Sequence, residues 1–217
     1  MKPAAFRKSF DGKTVLDCPA LELAEGRITA VIGANGSGKS TLARVLAGIE
    51  PPDGGGSPLP GCRAGYLPQS CYAFRMGTLQ NLLLNGGDAS RAHSLMNALH
   101  LDALAGQPAR ALSGGERAKM ALARLLMAKY ALLLLDEPCA AMDMESTLAA
   151  EQLISDYRRE TGCAVLLITH SISQAERIAD DLMFLNDGRV VETGNAQRVL
   201  TAPGTEELRR FLAFFGR

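Results

Sequence analysis

Polar and apolar positions alternate from residue 13 and give way to a continuous apolar run by residue 32. Thr14–Leu16 and Leu21–Leu23 read as short half-buried strands, Gly26-Arg27 as a turn, and Ile28–Ile32 as a buried strand. A glycine-rich turn occupies 33–38. Helical periodicity follows from Lys39 to Ala47, with Gly48 placed to stop it. Residues 50–61, EPPDGGGSPLPG, are turn chemistry throughout, which fits an interdomain linker or a surface loop. The strand-like Arg63–Leu67 directly afterwards favours the loop. From Thr78 to Leu112 the pattern is helical with no strand in evidence, and Asp88 and Ser90 are capping candidates. This stretch is a candidate helical insertion. A further helix is predicted over 114–129. Leu132–Leu135 and Ala164–Ile168 are short, wholly apolar runs of the kind found in buried parallel sheets, with helical patterns at 145–160 and 172–180. Alternating strands and helices predict a parallel βαβ sheet covered on both faces.

Composition narrows the function classes. The chain has 217 residues, 47% hydrophobic and 21% charged, with 23 Lys+Arg against 23 Asp+Glu. That length suits one domain or one domain with an insertion. The apolar content and zero net charge argue against disorder. The lack of a basic surplus argues against a nucleic-acid surface. The longest apolar runs, Ala131–Leu135 and Cys163–Ile168, fall far short of the ~20 residues that a spanning helix needs. The five cysteines are scattered without a CxxC pair, which speaks against a disulfide framework or zinc site and for reduced cytosolic thiols. The start, MKPAAFRKSFDGK, has no signal-peptide core.

Three motifs carry chemistry. GANGSGKST at 33–41 fits GxxxxGK[ST] between a strand and a helix. Gly33, Gly36 and Gly38 let successive N–H groups, including those of Asn35 and Ser37, converge on phosphate, and the helix start adds partial positive charge. Lys39 would reach the β- and γ-phosphates, Ser40 a bound Mg²⁺, and Thr41 the α-phosphate. LLLLDE at 132–137 ends a strand in two carboxylates at the sheet edge where α/β folds bind ligands. Asp136 would hold Mg²⁺ and Glu137 would polarise a water; a solvated acidic turn closed by Pro138 is the plain alternative. In LSGGER at 112–117, Ser113 and Glu116 fit a capping box. That does not explain Gly114 and Gly115, which weaken a first helical turn but leave N–H groups bare for an anion.

Together these motifs resemble the nucleotide-binding subunits of ATP-binding-cassette (ABC) transporters. GANGSGKST is similar to the Walker A motif, LLLLDE to the Walker B and LSGGE to the family signature. The likeness runs from about Phe6 to about Gly194. It implies an α/β P-loop NTPase with a RecA-like mixed sheet, a small antiparallel β region and a helical insertion. The chain would then be a single ABC domain over 1–217, with its core in 1–69 and 113–217 and a helical subdomain over about 70–112. The resemblance makes Gln69 the glutamine-loop residue sensing Mg²⁺ and γ-phosphate, His170 the switch histidine, and Asp143 the D-loop residue. Cys139-Ala140-Ala141-Met142 departs from the family's hydroxyl-bearing D-loop. Phe10 falls where the family stacks adenine, with Val15 as a further apolar contact; a core role for Phe10 is the alternative. Only 30 residues separate Lys39 from Gln69, and 44 separate Gln69 from Ser113, so the β region and the insertion should be trimmed.

The implied mechanism buries two ATP molecules in a head-to-tail dimer, the phosphate loop of one copy facing Ser113, Gly114 and Gly115 of the other. Implied partners are a second copy, separate membrane permease subunits and an extracytoplasmic binding protein, with no nucleic acid. The implied location is cytoplasmic and peripheral on the inner face of the cell membrane, with no regulatory domain following. The 169–194 stretch resembles oxyanion importers of the tungstate and phosphate types. An apolar cluster of Tyr72, Phe74, Met76, Leu79, Leu82 and Leu83 suits either a coupling helix or the core of the insertion. Two other classes stay open: a soluble ABC ATPase acting on nucleic acid or ribosomes, and a P-loop kinase or nucleotide switch. The spacing of LSGGE, DE and His170 speaks against the second.

Overall fold

A computed structural model describes residues 1–86 and 88–215. The chain forms two compact units: Met1–Tyr66 with Ala131–Asp136 and Gly162–Arg217, and Leu67–Tyr130 with Glu137–Thr161. The strands are β1 (Phe6–Phe10), β2 (Lys13–Cys18), β3 (Ile28–Ile32), β4 (Ala64–Leu67), β5 (Leu132–Asp136), β6 (Ala164–Ile168), β7 (Asp181–Asn186) and β8 (Arg189–Asn195). They form one sheet in the order β1-β2-β8-β7-β3-β6-β5-β4. Apart from Leu67, it belongs to the first unit. Neighbours within β7-β3-β6-β5 run parallel, while β1 with β2 and β7 with β8 are antiparallel. This is the mixed α/β P-loop fold that the resemblance implies.

The continuous apolar runs follow from burial on both faces. Val31 on β3 and Met183 and Leu185 on β7 join one cluster with Leu42 and Leu46 of α1 (Lys39–Leu46). Ala30, Ile32, Leu182 and Phe184 join the opposite cluster, against α6 (Ile172–Ile178), α7 (Ala196–Thr201) and α8 (Glu206–Phe215). The period-2 alternation of a strand thus splits one apolar run between two cores. Phe184 and Phe211, with ring centres 5.2 Å apart, anchor α8.

Two sequence expectations change here. Leu21–Leu23 is not a strand. Pro19 lacks a ladder donor, and the Leu21 and Leu23 N–H groups donate to Pro3 O (3.0 Å) and Met1 O (2.9 Å) instead. Both leucines are buried in a loop. Residues 50–61 form a surface loop of the first unit rather than a linker. Asp53 fastens it, accepting from Ser9 N (3.0 Å) and Ser9 Oγ (2.7 Å).

The second unit is helical: α2 (Thr78–Leu83), α3 (Ala89–Ala98), α4 (Gly114–Leu126) and α5 (Met144–Thr161), with short 3-10 turns at 102–104 and 109–111. Asp88 caps α3 by accepting from Ser90 N (2.9 Å), so Ser90 lies inside the helix. The carbonyls at the end of α4 are met by Asn85, which donates to Arg124 O (3.0 Å) and Leu125 O (3.2 Å), and by Arg91, which donates to Leu126 O (3.1 Å).

Candidate functional site

In the first unit, strand register gathers the phosphate loop, Asp136 and His170 at one edge. Ile168 on β6 lies opposite Val31 on one side and Asp136 on the other. The loop after β3, the last residue of β5 and the Thr169-His170 turn after β6 therefore leave the sheet abreast, at its carboxyl edge. A Cβ on Gly33 (φ 154°) would overlap the Leu185 carbonyl oxygen, and one on Gly38 (φ 101°) would sit 3.0 Å from Val15 O. Both glycines are therefore imposed by close backbone approach as well as by dihedral angle. Val15 enters the site through its carbonyl, at the base of the loop.

Gly38 is the N-cap of α1, and no side chain caps this end. The Lys39 ammonium donates to Gly33 O and Ala34 O, at 2.8 Å each, so it is held over the loop. Ser37, Lys39 and Thr41 are buried, Ser40 is half-buried, and Asn35 and Gly36 are exposed. Uncapped helical N–H groups beside a fixed ammonium make an anion cradle.

Asp136 is 2% exposed. Its Oδ2 accepts from Tyr66 Oη at 3.3 Å, while Oδ1 is buried with no hydrogen-bond partner among the described residues. A buried carboxylate oxygen is costly to leave bare, and a hard oxygen ligand of this kind suits Mg²⁺. Burial raises the Tyr66 hydroxyl above its ordinary value, which keeps it a donor. Sequence reasoning missed Tyr66; no motif marks it, and only the order β5-β4 brings it near.

His170 is exposed, on the turn into α6. Its neighbours are fixed: Thr169 N donates to Val31 O (3.2 Å), Ser171 N to Thr169 Oγ1 (3.0 Å), and Gln174 N to Ser171 Oγ (3.1 Å). Phe10 is 41% exposed at the end of β1, with the Lys8 ammonium 4.8 Å from its ring centre. It is not a core residue.

The second unit carries the remaining candidates. Asp136 and Glu137 are adjacent in sequence yet fall in different units. Glu137 takes a left-handed conformation (φ 51°), and its Oε2 accepts from Gln69 Nε2 at 3.0 Å. Strain at a non-glycine residue of this kind collects at functional turns.

At the start of α4, Ser113 N donates to Glu116 Oε2 (2.7 Å) and Glu116 N to Ser113 Oγ (3.3 Å), a complete capping box. The hydrogen bond from Ser113 N holds the Glu116 carboxyl below its ordinary value. A Cβ on Gly115 would lie 2.7 Å from Ala141 O, whereas one on Gly114 meets only Ala141 Cβ at 3.9 Å. Gly115 therefore has a packing reason that the motif alone did not reveal. Asp143 Oδ1 accepts from Ser146 N at 2.8 Å, at the start of α5, and this bond holds its carboxyl below the ordinary carboxylate value.

Comparison with known proteins identifies the family. The family model for the ABC transporter matches residues 16–140. The tungstate uptake system ATP-binding protein TupC of Peptoclostridium acidaminophilum is 37% identical over 201 residues, 86% of this chain and 94% of that protein. An aliphatic sulfonates import ATP-binding protein of Nocardia farcinica is 38% identical over 206 residues, 93% and 82% of the two chains. A solved structure of an ATP-binding subunit of an ABC transporter shares the fold, with a TM-score of 0.83 at 20% identity over 100% of this chain and 99% of that one. The chain therefore belongs to the ABC transporter family as one of its ATP-binding, ATP-hydrolysing members.

Proposed function

We propose that the chain is the motor of a solute importer: two copies close around two ATP molecules, and hydrolysis separates them while a membrane permease moves its cargo. The observation that carries this reading is Asp136, buried with one oxygen unpartnered, at the same sheet edge as the uncapped start of α1. In this reading Gly33, Asn35, Gly36, Ser37, Gly38 and Thr41 bind phosphate, Lys39 neutralises the β- and γ-oxygens, and Phe10 and Val15 receive the adenine. Ser40 and Asp136 of the first unit and Gln69 of the second would be the Mg²⁺ ligands. Mg²⁺, when bound, draws charge off the phosphate oxygens during transfer.

Glu137 accepts a hydrogen bond from the attacking water. The water oxygen forms its bond to the γ-phosphorus, one of its protons passes to a γ-phosphate oxygen, the bond from that phosphorus to the β–γ bridging oxygen breaks with its electron pair staying on ADP, and ADP and dihydrogen phosphate leave. Gln69 holds the Glu137 carboxylate in place, and His170 donates to the γ-phosphate. Ser113 Oγ uses a lone pair on Glu116 N, so its hydroxyl hydrogen remains available to the other copy's γ-phosphate, beside the Gly114 and Gly115 amides. Asp143 lines the dimer contact with its carboxylate committed to the start of α5.

No described helix is long and apolar enough to cross a membrane. The reading therefore assigns the membrane path to separate permease subunits, fed by an extracytoplasmic binding protein, with this chain on the cytoplasmic face. Tyr72 and Phe74, 59% and 41% exposed, form the docking surface, whereas the fully buried Leu82 belongs to the core of the insertion. The names of the tungstate and sulfonate relatives support oxyanion cargo.

Glu137→Gln tests the motor. It should bind ATP, turn it over about 10³-fold more slowly, and run as a dimer on gel filtration with ATP–Mg²⁺. Rapid turnover would overturn the role of Glu137, and a monomer would overturn the paired site. Turnover by the unmodified chain should rise more than linearly with protein concentration.

A further inference from the structure

One polar cluster of the second unit belongs to none of the motifs. Asn81, on α2, is 0% exposed. Its Oδ1 accepts from Phe74 N and from the Arg124 guanidinium, both at 3.0 Å. Its Nδ2 donates to Gly77 O (3.1 Å), Phe74 O (3.3 Å) and Met76 O (3.4 Å). Arg124, in the last turn of α4, donates a second hydrogen bond to Tyr72 O at 2.9 Å and lies 5.0 Å from the Phe74 ring centre. The backbone from 72 to 77 is therefore tied to both α2 and α4 by side chains.

The choice of residue is informative. Burial lowers the basicity of the Arg124 guanidinium, and no described carboxylate pairs with it. A half-buried cation held by neutral acceptors and a ring is a costly way to fill space. A planar fork that meets two acceptors at fixed angles is what arginine adds over lysine or an apolar side chain.

We infer that Arg124 and Asn81 are positioning residues for Gln69, fixing the segment after it so that its carboxamide stays on Glu137; this rests on the roles proposed for that pair. Two residues separate Gln69 from Tyr72, so the place where the Tyr72 carbonyl is held restricts where Gln69 can reach. Because the holder is α4, the helix that opens with Ser113, any shift of the signature helix carries the glutamine segment with it.

Arg124→Lys keeps the charge and loses the fork. In the full-length chain it should lower kcat for ATP about tenfold with KM changed less than about twofold, since the phosphate loop is untouched. In a Gln69→Ala background the same substitution should have less than about a twofold further effect, because the residue it positions is gone. Phe74→Leu removes the ring beside the guanidinium, together with its edge contact to the Tyr72 ring, and should show the same non-additivity with a loss of about threefold; it answers the question if Arg124→Lys does not fold. A purely structural arginine would lower the thermal midpoint and act equally in both backgrounds, and that additivity overturns the inference. A fully active Gln69→Ala chain overturns it too, by removing the catalytic reading of Gln69. If instead Gln69→Ala is impaired while Arg124→Lys is additive with it, only the positioning role falls.

Discussion

The chain presents two glycine-rich helix starts, and they solve the same problem in opposite ways. At α1 no side chain caps the helix, and the N-cap is a left-handed glycine. At α4 the Ser113–Glu116 box satisfies two backbone donors from within the helix itself. A helix start holds several amides without an internal partner. The first start is left without a side-chain cap; the second satisfies two of its donors itself, which leaves the Gly114 and Gly115 amides for the contact proposed with another copy. In the proposed reading α1 would bind nucleotide in a single chain, while α4 would serve a nucleotide bound to another copy.

The sharpest way to break that comparison is to disable each start separately. Lys39→Ala should lower the ATP affinity of the isolated chain by at least about 100-fold, because a buried cation beside phosphate has no substitute there. Ser113→Ala should leave monomer affinity within about twofold and act on turnover. Isothermal titration at low protein concentration reads both. If Ser113→Ala abolished binding while Lys39→Ala did not, the two starts would have exchanged roles.

Asp136→Asn sharpens the first start. Neutralising a buried carboxylate with a bare Oδ1 should raise the nucleotide-free unfolding free energy by about 1 kcal/mol, while turnover with Mg²⁺ falls by at least about tenfold. Opposite signs in a melting curve and an ATPase assay are the expected signature. A loss in both would mean that Asp136 holds the fold together and that its free oxygen awaits no ligand.

Much of the first start was legible because its constraints are local. Ile28–Ile32 and Ala164–Ile168 recur with the same bounds as β3 and β6, since a wholly apolar five-residue run between turns has few other fates. The Lys39 helix, its Gly48 stop (φ 72°) and Asp136 at a strand end also follow from short-range chemistry. The β7–β8 hairpin was missed although Asp187-Gly188, both left-handed (φ 46° and 75°), is a standard hairpin turn signal. Asp11-Gly12 (φ 49° and 76°) joins β1 to β2 in the same way. Leu21–Leu23 misled because alternation records which residues are buried, not which backbone groups pair. Tyr66 beside Asp136, Ala141 against Gly115 and Arg124 on Tyr72 O were not legible at all. Each depends on elements brought together by tertiary packing, and two of the three contacts involve a main-chain carbonyl, which carries no sequence signal.

Gly114 and Gly115 measure how far packing shapes the second start. Gly115→Ala must displace either its own backbone or that of Ala141, and should cost about 1–3 kcal/mol. Gly114→Ala meets only an ordinary contact and should be neutral or stabilising by up to about 1 kcal/mol, from helix propensity alone. Urea unfolding of the two variants gives the contrast directly. Equal costs would mean that the Ala141 carbonyl yields freely and that both glycines are there for their amides.

The smallest effect concerns the charge in the capping box. Glu116 holds its proton less tightly in the folded chain than in the unfolded one, because Ser113 N donates to its carboxylate. A depressed folded value contributes stability that is complete above the ordinary glutamate range and is lost as pH falls through the folded value. Glu116→Gln keeps an acceptor for Ser113 N and loses the charge, so at about pH 7 it should be less stable by only about 0.5 kcal/mol, allowing for solvent screening. Asp143 and Glu192 are also depressed, so both proteins weaken in acid. That shared loss cancels in the difference between them, which isolates Glu116. Urea unfolding repeated down to about pH 3 should therefore show the gap closing as the carboxylate takes up its proton. A gap that stayed constant would place the effect in side-chain shape rather than charge, and the α4 start would then be closed by geometry alone.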